Sequence, residues 1–313
     1  MPLVGTQKYD IAVILVGMNA REYVRGCLDS LASARWGDLT HEVVYVDNAS
    51  TDGSVEMVEA AFPAVRILSN STNIGFCKAA NQGARAADSR YYMFVNDDTV
   101  AIEDAIAKLA RFMDAVPDAG AVGSRLLYAD GSEQWSARRF PTVLSALFGR
   151  RSVLHRLFPD APPVRRYLYK AELAGSAPFE VEWVSAAGVM FRREMFRAVA
   201  GFAEDYYYWH EILISDRLRA RGWKTYLHPE SRVIHFEGKG SGPRPYRVQR
   251  FHILDFHRGA YRCYCEHYGL GLISPRRWLV GAALGARALG LLVTSWVSSH
   301  FSGWSRASQR AAG

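Results

Sequence analysis

Several common signatures are missing from this chain, and each gap removes a class of protein. The four cysteines, Cys27, Cys77, Cys263 and Cys265, form no C-x-x-C pair and have no spaced histidine partner. This argues against a zinc site or a disulfide framework and suits a reducing, cytosolic setting. No repeat or low-complexity segment interrupts the sequence, and 49% apolar residues in 313 supply an ample core, so disorder is not expected. Met1 to Tyr9 is polar and Asp10 directly precedes the first apolar run, so no secretory signal is expected. The net charge of +7 is carried largely by arginine, as in Arg138-Arg139, Arg150-Arg151, Arg165-Arg166, Arg244 to Arg262 and Arg276-Arg277. No basic run is long enough for a nucleic-acid tail, so the charge points instead to nucleotide phosphates or an acidic membrane surface.

What is present is an alternation. Ile11 to Val16 reads as a strand, Gly17-Met18-Asn19 as a turn, and a helical pattern follows through Tyr23, Leu28 and Leu31. Strand 42–46, helix 54–62 with Ser54 or Asp52 as its cap, strand 65–68, helix 77–87, strand 91–95 and helix 102–115 continue the rhythm, the last stopping before Pro117. Such alternation predicts an α/β fold with a mostly parallel sheet covered by helices on both faces. Further on, 121–127 reads as a strand and 140–180 as a Pro- and Arg-rich stretch without pattern. Segments 181–184 and 189–191 read as strands, 193–200 and 210–221 as helices, and 223–227 and 232–235 as two more extended segments.

Two acidic segments fall where strands end: Asp47-Asn48-Ala49-Ser50-Thr51-Asp52-Gly53-Ser54 and Asn96-Asp97-Asp98-Thr99. Ligands of open α/β sheets bind at the carboxyl edge. Adjacent carboxylates repel unless a cation or donor holds them, and a hard divalent ion bridging phosphates is the usual remedy. Together the segments suggest a nucleotide-diphosphate site.

With Asn73-x-Gly75-Phe76, Trp183-x-Ser185-x-Ala187-Gly188, Gly201-Phe202, Trp209-His210-Glu211, Arg221-Gly222-Trp223 and His235 added in order, the chain resembles the family 2 glycosyltransferases of the GT-A fold from about Ile11 to Gly269. The likeness is to the bacterial branch with rhamnosyl- and galactofuranosyltransferases of the cell envelope. It implies a GT-A domain over 1–240, with a nucleotide-binding half at 1–105 and a donor-sugar and acceptor half at 106–240, then a C-terminal helical segment at 241–313. It further implies donor contacts from Val16, Asp47, Asn73, Lys78, Asn96, Asp97, Trp183, Ser185, Gly188 and Trp209, with Asp47 accepting from a pyrimidine imide N–H. Asp98 and His235 become the metal ligands, for Mn2+ or Mg2+, imidazole favouring manganese over calcium. Each has an ordinary alternative: Asp47 as a turn cap, Trp183 to Gly188 as a buried strand and turn, His235 as a structural histidine. Lys78, Arg125 and Arg139 are candidate phosphate or acceptor contacts, or simply solvated charges.

An inverting transferase needs a base for the acceptor hydroxyl. The family's acidic stretch survives here only as Glu211, the expected base, with His210 as an auxiliary where an acid is usual and Leu213 replacing another. The resemblance implies an L-rhamnose donor carried by dTDP and a lipid-linked or polysaccharide acceptor at the inner face of the cell membrane. A UDP-linked galactofuranose or hexose donor, and a noncatalytic nucleotide-sugar-binding relative, stay open. A nucleotidyltransferase would carry a Gly-rich basic loop after the first strand, and Gly17-Met18-Asn19-Ala20 is not one. The stretch from Trp278 to Val297 has the length of a bilayer span, about twenty residues, but its small residues and central Arg287 favour an interfacial helix over a span or a core helix.

Overall fold

A computed structural model of the chain describes residues 8–140, 157–158, 160–236 and 245–310, with side chains as far as 299. Most of the opening polar segment, Arg150-Arg151, Arg244 and much of the 140–180 stretch lie outside the described residues. The elements run β1 (Tyr9–Gly17), α1 (Arg21–Ala32), β2 (His41–Asp47), α2 (Ser54–Ala61), β3 (Arg66–Ser69), α3 (Phe76–Ala86), β4 (Ser89–Asn96), β5 (Thr99–Ala101), α4 (Ala105–Ala115) and β6 (Ala119–Leu127). Then come β7 (Glu133–Gln134), β8 (Ala137–Arg138), α5 (Pro162–Tyr167), β9 (Phe179–Val181), β10 (Trp183–Val184), β11 (Gly188–Arg192), α6 (Arg193–Ala198), α7 (His210–Arg219), β12 (Lys224–His235), α8 (Tyr246–His267) and α9 (Pro275–Arg310).

The chain divides into two compact units, residues 1–204 with 211–237, and residues 205–210 with 238–313. The first is built on a sheet ordered β3-β2-β1-β4-β11-β6-β12-β5. β1 to β4 are mutually parallel, as the alternation predicts. Ile11, Val13 and Leu15 face one way with Leu28, Met93 and Leu109, while Ala12, Ile14 and Val16 face the other with Ala80, Phe94 and Phe202. Burial on both faces is why these strands read as unbroken apolar runs rather than alternating ones.

The sequence does not foretell that β11 enters the middle of the sheet antiparallel, between β4 and β6. The two segments read separately at 223–227 and 232–235 are one strand, β12, whose register slips between His228 and Arg232. Pro229 has no N–H for the ladder, so the strand bulges there instead of ending. Helix α2 also differs at its start. Gly53, at φ 79°, is its N-cap, and the Asp52 carboxylate accepts from the Ser54 N–H and hydroxyl. A left-handed cap position favours glycine.

In the second unit α8 and α9 pack as a helical pair, and the aromatic run 206–209 lies along α8. The Tyr206 hydroxyl donates to Glu266 (3.0 Å), Tyr208 Oη meets His252 Nδ1 (3.0 Å), and Trp209 Nε1 donates to the Phe256 carbonyl (2.9 Å). Gly259 leaves room for the indole, since a Cβ there would sit 2.8 Å from Trp209 Cδ1.

Candidate active site

The carboxyl ends of β1, β2 and β4 converge where the strand order reverses. Gly17 pairs with Asp47, and Val16 with Asn96, so Val16 lies between the two acidic turns. A reversal point of this kind opens a crevice at the sheet edge. Hydrogen bonds lace the loops around it. Asn19 Oδ1 accepts from the Thr51 N–H (2.7 Å), the Asn19 N–H donates to Ser50 Oγ (2.9 Å), and the Arg21 N–H donates to Asp52 (2.9 Å). Against the penalty of burial, the bonds from Ser54 and Arg21 hold Asp52 below the usual carboxylate range.

Asp47 is almost wholly buried, and its carboxylate accepts from the Tyr45 hydroxyl (3.0 Å) and the Ser50 N–H (3.0 Å). It thus caps the turn it begins. Burial, then the Asp47 charge, raise the Tyr45 phenol above its ordinary range. Exposed Asn73 accepts from the Gly75 N–H (2.9 Å) and contacts Met18 Sδ (2.9 Å), joining the α3 entrance to the β1 loop. Lys78 is exposed on the first turn of α3.

The second acidic turn is held by the Thr99 hydroxyl donating to the Asn96 carbonyl (2.7 Å). Burial, and then the adjacent Asp98 charge, push Asp97 up to about 7, with backbone N–H groups including that of Met18 opposing them. Short β5 turns back to pair antiparallel with the end of β12, setting His235 opposite Thr99, and the Phe236 N–H donates to the Asp98 carbonyl (2.9 Å). Asp98 Oδ1 therefore stands 3.2 Å from His235 Nε2, although most of the domain separates them in sequence.

The ring is oriented from behind: His235 Nδ1 lies 2.6 Å from Gln134 Oε1. An amide oxygen only accepts, so Nδ1 carries a proton toward Gln134, and Nε2 faces Asp98 Oδ1 and the Asn96 amide nitrogen, 3.2 Å away. A carboxylate and a ring nitrogen this close are joined either by a proton on Nε2 or by a bound cation. Two ligands at right angles about an ion with bonds of about 2.1 Å stand about 3.0 Å apart, close to the spacing seen. One carboxylate and one imidazole are donor types that suit Mn2+ or Mg2+. Among the described residues no cluster of three or more His, Cys, Asp or Glu side chains gathers.

The remaining candidates fall elsewhere. The Trp183 indole is buried, donates Nε1–H to the Arg139 carbonyl (2.8 Å) and lies under the Arg138 guanidinium. The Ser185 N–H donates to Ser136 (2.9 Å), and Gly188 pairs with Val95 beside the β4 end, where a Cβ would come 3.3 Å from Leu126. Arg125 and Arg139 are engaged by Glu133 and Glu182 in ion pairs. Glu211 is half-buried in the first turn of α7 and belongs to the first unit, while Trp209 and buried His210 belong to the second. Two residues that sequence reasoning passed over support this unit. Gln134 orients His235, and buried Asn81 accepts from the Phe202 N–H (3.0 Å) and donates to its carbonyl (2.9 Å), fixing the Gly201-Phe202 corner against α3.

Residues 12–199 match the sequence family described as glycosyl transferase family 2. The chain is 28% identical over 258 residues to the N-acetylglucosaminyl-diphospho-decaprenol L-rhamnosyltransferase of Mycobacterium tuberculosis, covering 79% of this chain and 81% of that protein. It is 25% identical over 247 residues to the O-antigen biosynthesis protein RfbC of Myxococcus xanthus, covering 75% of this chain and 18% of that one. In fold it resembles the mannosyltransferase PcManGT from Pyrobaculum calidifontis, solved with GDP-Man and Mn2+ (TM-score 0.57, 17% identity, 98% and 81% covered). It also resembles GalNAc-T7, solved with UDP, GalNAc and Mn2+ (TM-score 0.58, 16% identity, 82% and 50% covered).

Proposed function

Because the chain belongs to the family 2 glycosyltransferases and has the GT-A fold, we propose that it transfers L-rhamnose with inversion from dTDP-rhamnose to a lipid-linked, diphosphate-activated sugar in cell-envelope glycan synthesis. The choice of sugar and acceptor is supported by the likeness to the mycobacterial L-rhamnosyltransferase across most of both chains. A lipid-linked acceptor sets the reaction at the inner face of the membrane, with a nucleotide-binding half at 1–105 and a sugar- and acceptor-binding half at 106–240.

The observation that carries the reaction class is the Asp98–His235 pair at the reversal point of the sheet. These two side chains would hold Mn2+ or Mg2+, which when bound neutralises charge on the leaving diphosphate. Asp47, Asn73 and the laced 47–54 loop line the nucleotide side, and Asn96 and Asp97 the ribose side. Gly188 allows the donor sugar close to the backbone, next to Ser185. Trp183, buried beneath this turn, holds it in position, and Lys78 meets phosphate. Glu211, half-buried in the first turn of α7, takes the proton of the acceptor hydroxyl as it attacks the anomeric carbon.

A donor panel of dTDP-rhamnose, UDP-galactofuranose, UDP-glucose and GDP-mannose, offered with a synthetic N-acetylglucosaminyl-diphospho-lipid and Mn2+, tests the assignment. Rhamnosylated lipid and free dTDP are expected. Transfer from a UDP- or GDP-sugar alone would overturn the donor, and binding of every donor without turnover would overturn the activity.

A further inference from the structure

We propose that α9 is a monotopic membrane anchor: it lies in the plane of an anionic lipid surface with its outward face in the acyl boundary and does not span the bilayer. The inference deepens the reading of a lipid-linked acceptor, but its observations all lie within the second unit. Pro275–Ser299 is long and apolar enough to cross a membrane, and almost none of it is buried. An apolar helix left uncovered calls for another apolar phase.

The distribution of side chains around the axis decides how that phase is met. Successive residues turn by about 100°. One side of α9 faces α8: Arg277 Nε donates to the Tyr261 hydroxyl (2.9 Å), Gly281 lies against the same ring, and Ser295 Oγ donates to Gln249 (2.6 Å). The outward side, an arc of about 100°, carries Trp278, Leu279, Leu289, Val293, Trp296 and Val297, all between 41% and 71% exposed, and no charge. Arg276, Arg287, Thr294 and Ser298 fall together along one border between the two. Arg287, a defect at the centre of a span, is thereby a headgroup contact on the rim of an interfacial helix, its stem lying along the apolar side.

Helix α8 excludes the span on separate grounds. It accompanies α9 from Tyr264, which accepts from Arg276 (2.9 Å), to Gln249 near the far end, and it bears Arg250, Asp255, Arg258, Arg262 and Glu266. A spanning α9 would draw this charged partner into hydrocarbon, where such residues are strongly disfavoured. The length agrees: 36 residues of helix reach about 54 Å, well beyond a hydrocarbon core of about 30 Å.

Charge identifies the occupant. After Glu266 the remaining 47 residues contain no Asp or Glu, while Arg276, Arg277, Arg287, Arg306 and Arg310 are among them. A second copy would bring arginine against arginine, whereas acidic headgroups complement the border. Exposed Leu272 and Ile273, just before α9, add apolar surface beside it.

The test uses the full chain without donor or acceptor, so its failure leaves the transferase assignment untouched. Purified protein should co-sediment with vesicles of equal parts phosphatidylglycerol and phosphatidylcholine and far less with phosphatidylcholine alone. Leu289→Glu with Val293→Glu should lower the partition about ten-fold or more, with the thermal transition retained. In the vesicle-bound state, thiols at Gly271→Cys and Ser298→Cys should both react with a membrane-impermeant maleimide added outside; the native cysteines in the structure are all buried. Protection of one thiol and not the other would mean a span. No co-sedimentation, or a lipid-free dimer dissolved by the same two glutamates, would equally overturn the proposal.

Discussion

Gln134 governs how His235 presents its ring, and nothing in the sequence marks it. It sits on a two-residue strand in a stretch without periodicity, and only the fold carries it behind the histidine. Partners that orient a ligating imidazole typically change metal affinity by about 10- to 100-fold when removed. Gln134→Leu is therefore expected to weaken Mn2+ binding by that factor while metal-free nucleotide binding stays as it was, measured by calorimetry. Asp98 and His235, by contrast, stood out as residues, because each follows a β-run and the family resemblance implies a role for it. Their meeting depended on β5, too short to show a pattern. Cys27 has a simpler expectation. Burial pushes its thiol up to about 12, opposed by a contact with Thr99. A thiol reagent at pH 8 should leave it unmodified in the native protein and label it on unfolding, because little thiolate forms far below the pKa.

At the scale of elements, β1, β2 and β4 and helices α1 to α4 were readable to within a few residues, because burial on both sheet faces writes itself as continuous apolar runs. The antiparallel insertion of β11 and the continuity of β12 were not, since periodicity carries neither direction nor register. The corner after α6 shows how a family motif can be a packing device. Phe202 lies among Phe94, Phe191 and Phe196 at centroid distances of 5.0 to 5.8 Å, and Asn81 secures its backbone from α3. Asn81→Ala leaves a buried N–H and carbonyl without that partner. A loss of about 2 to 3 kcal/mol is expected, read as a lower urea midpoint, with turnover falling only as far as folded protein is lost.

For the whole molecule, the chain passes from one unit to the other and back within a few residues, and the second crossing lies between His210 and Glu211. The sequence showed the acidic motif here but not that it straddles a boundary, because compactness is a property of contacts and not of composition. If Glu211 removes the acceptor proton, Glu211→Gln should lower kcat by about 10²- to 10⁴-fold while dTDP affinity stays within about two-fold of the parent, separating chemistry from binding in a steady-state and calorimetric comparison.

The central claim is that Asp98 and His235 together grip a divalent cation that anchors the donor diphosphate. Calorimetric titration of dTDP into the protein, with and without Mn2+, compared with the Asp98→Asn variant, tests it most directly. Manganese should tighten dTDP binding to the parent by about 100-fold or more, as a charge-assisted contact between metal and diphosphate requires, and should leave the variant nearly unchanged. Equal tightening in both proteins, or none in either, would contradict it.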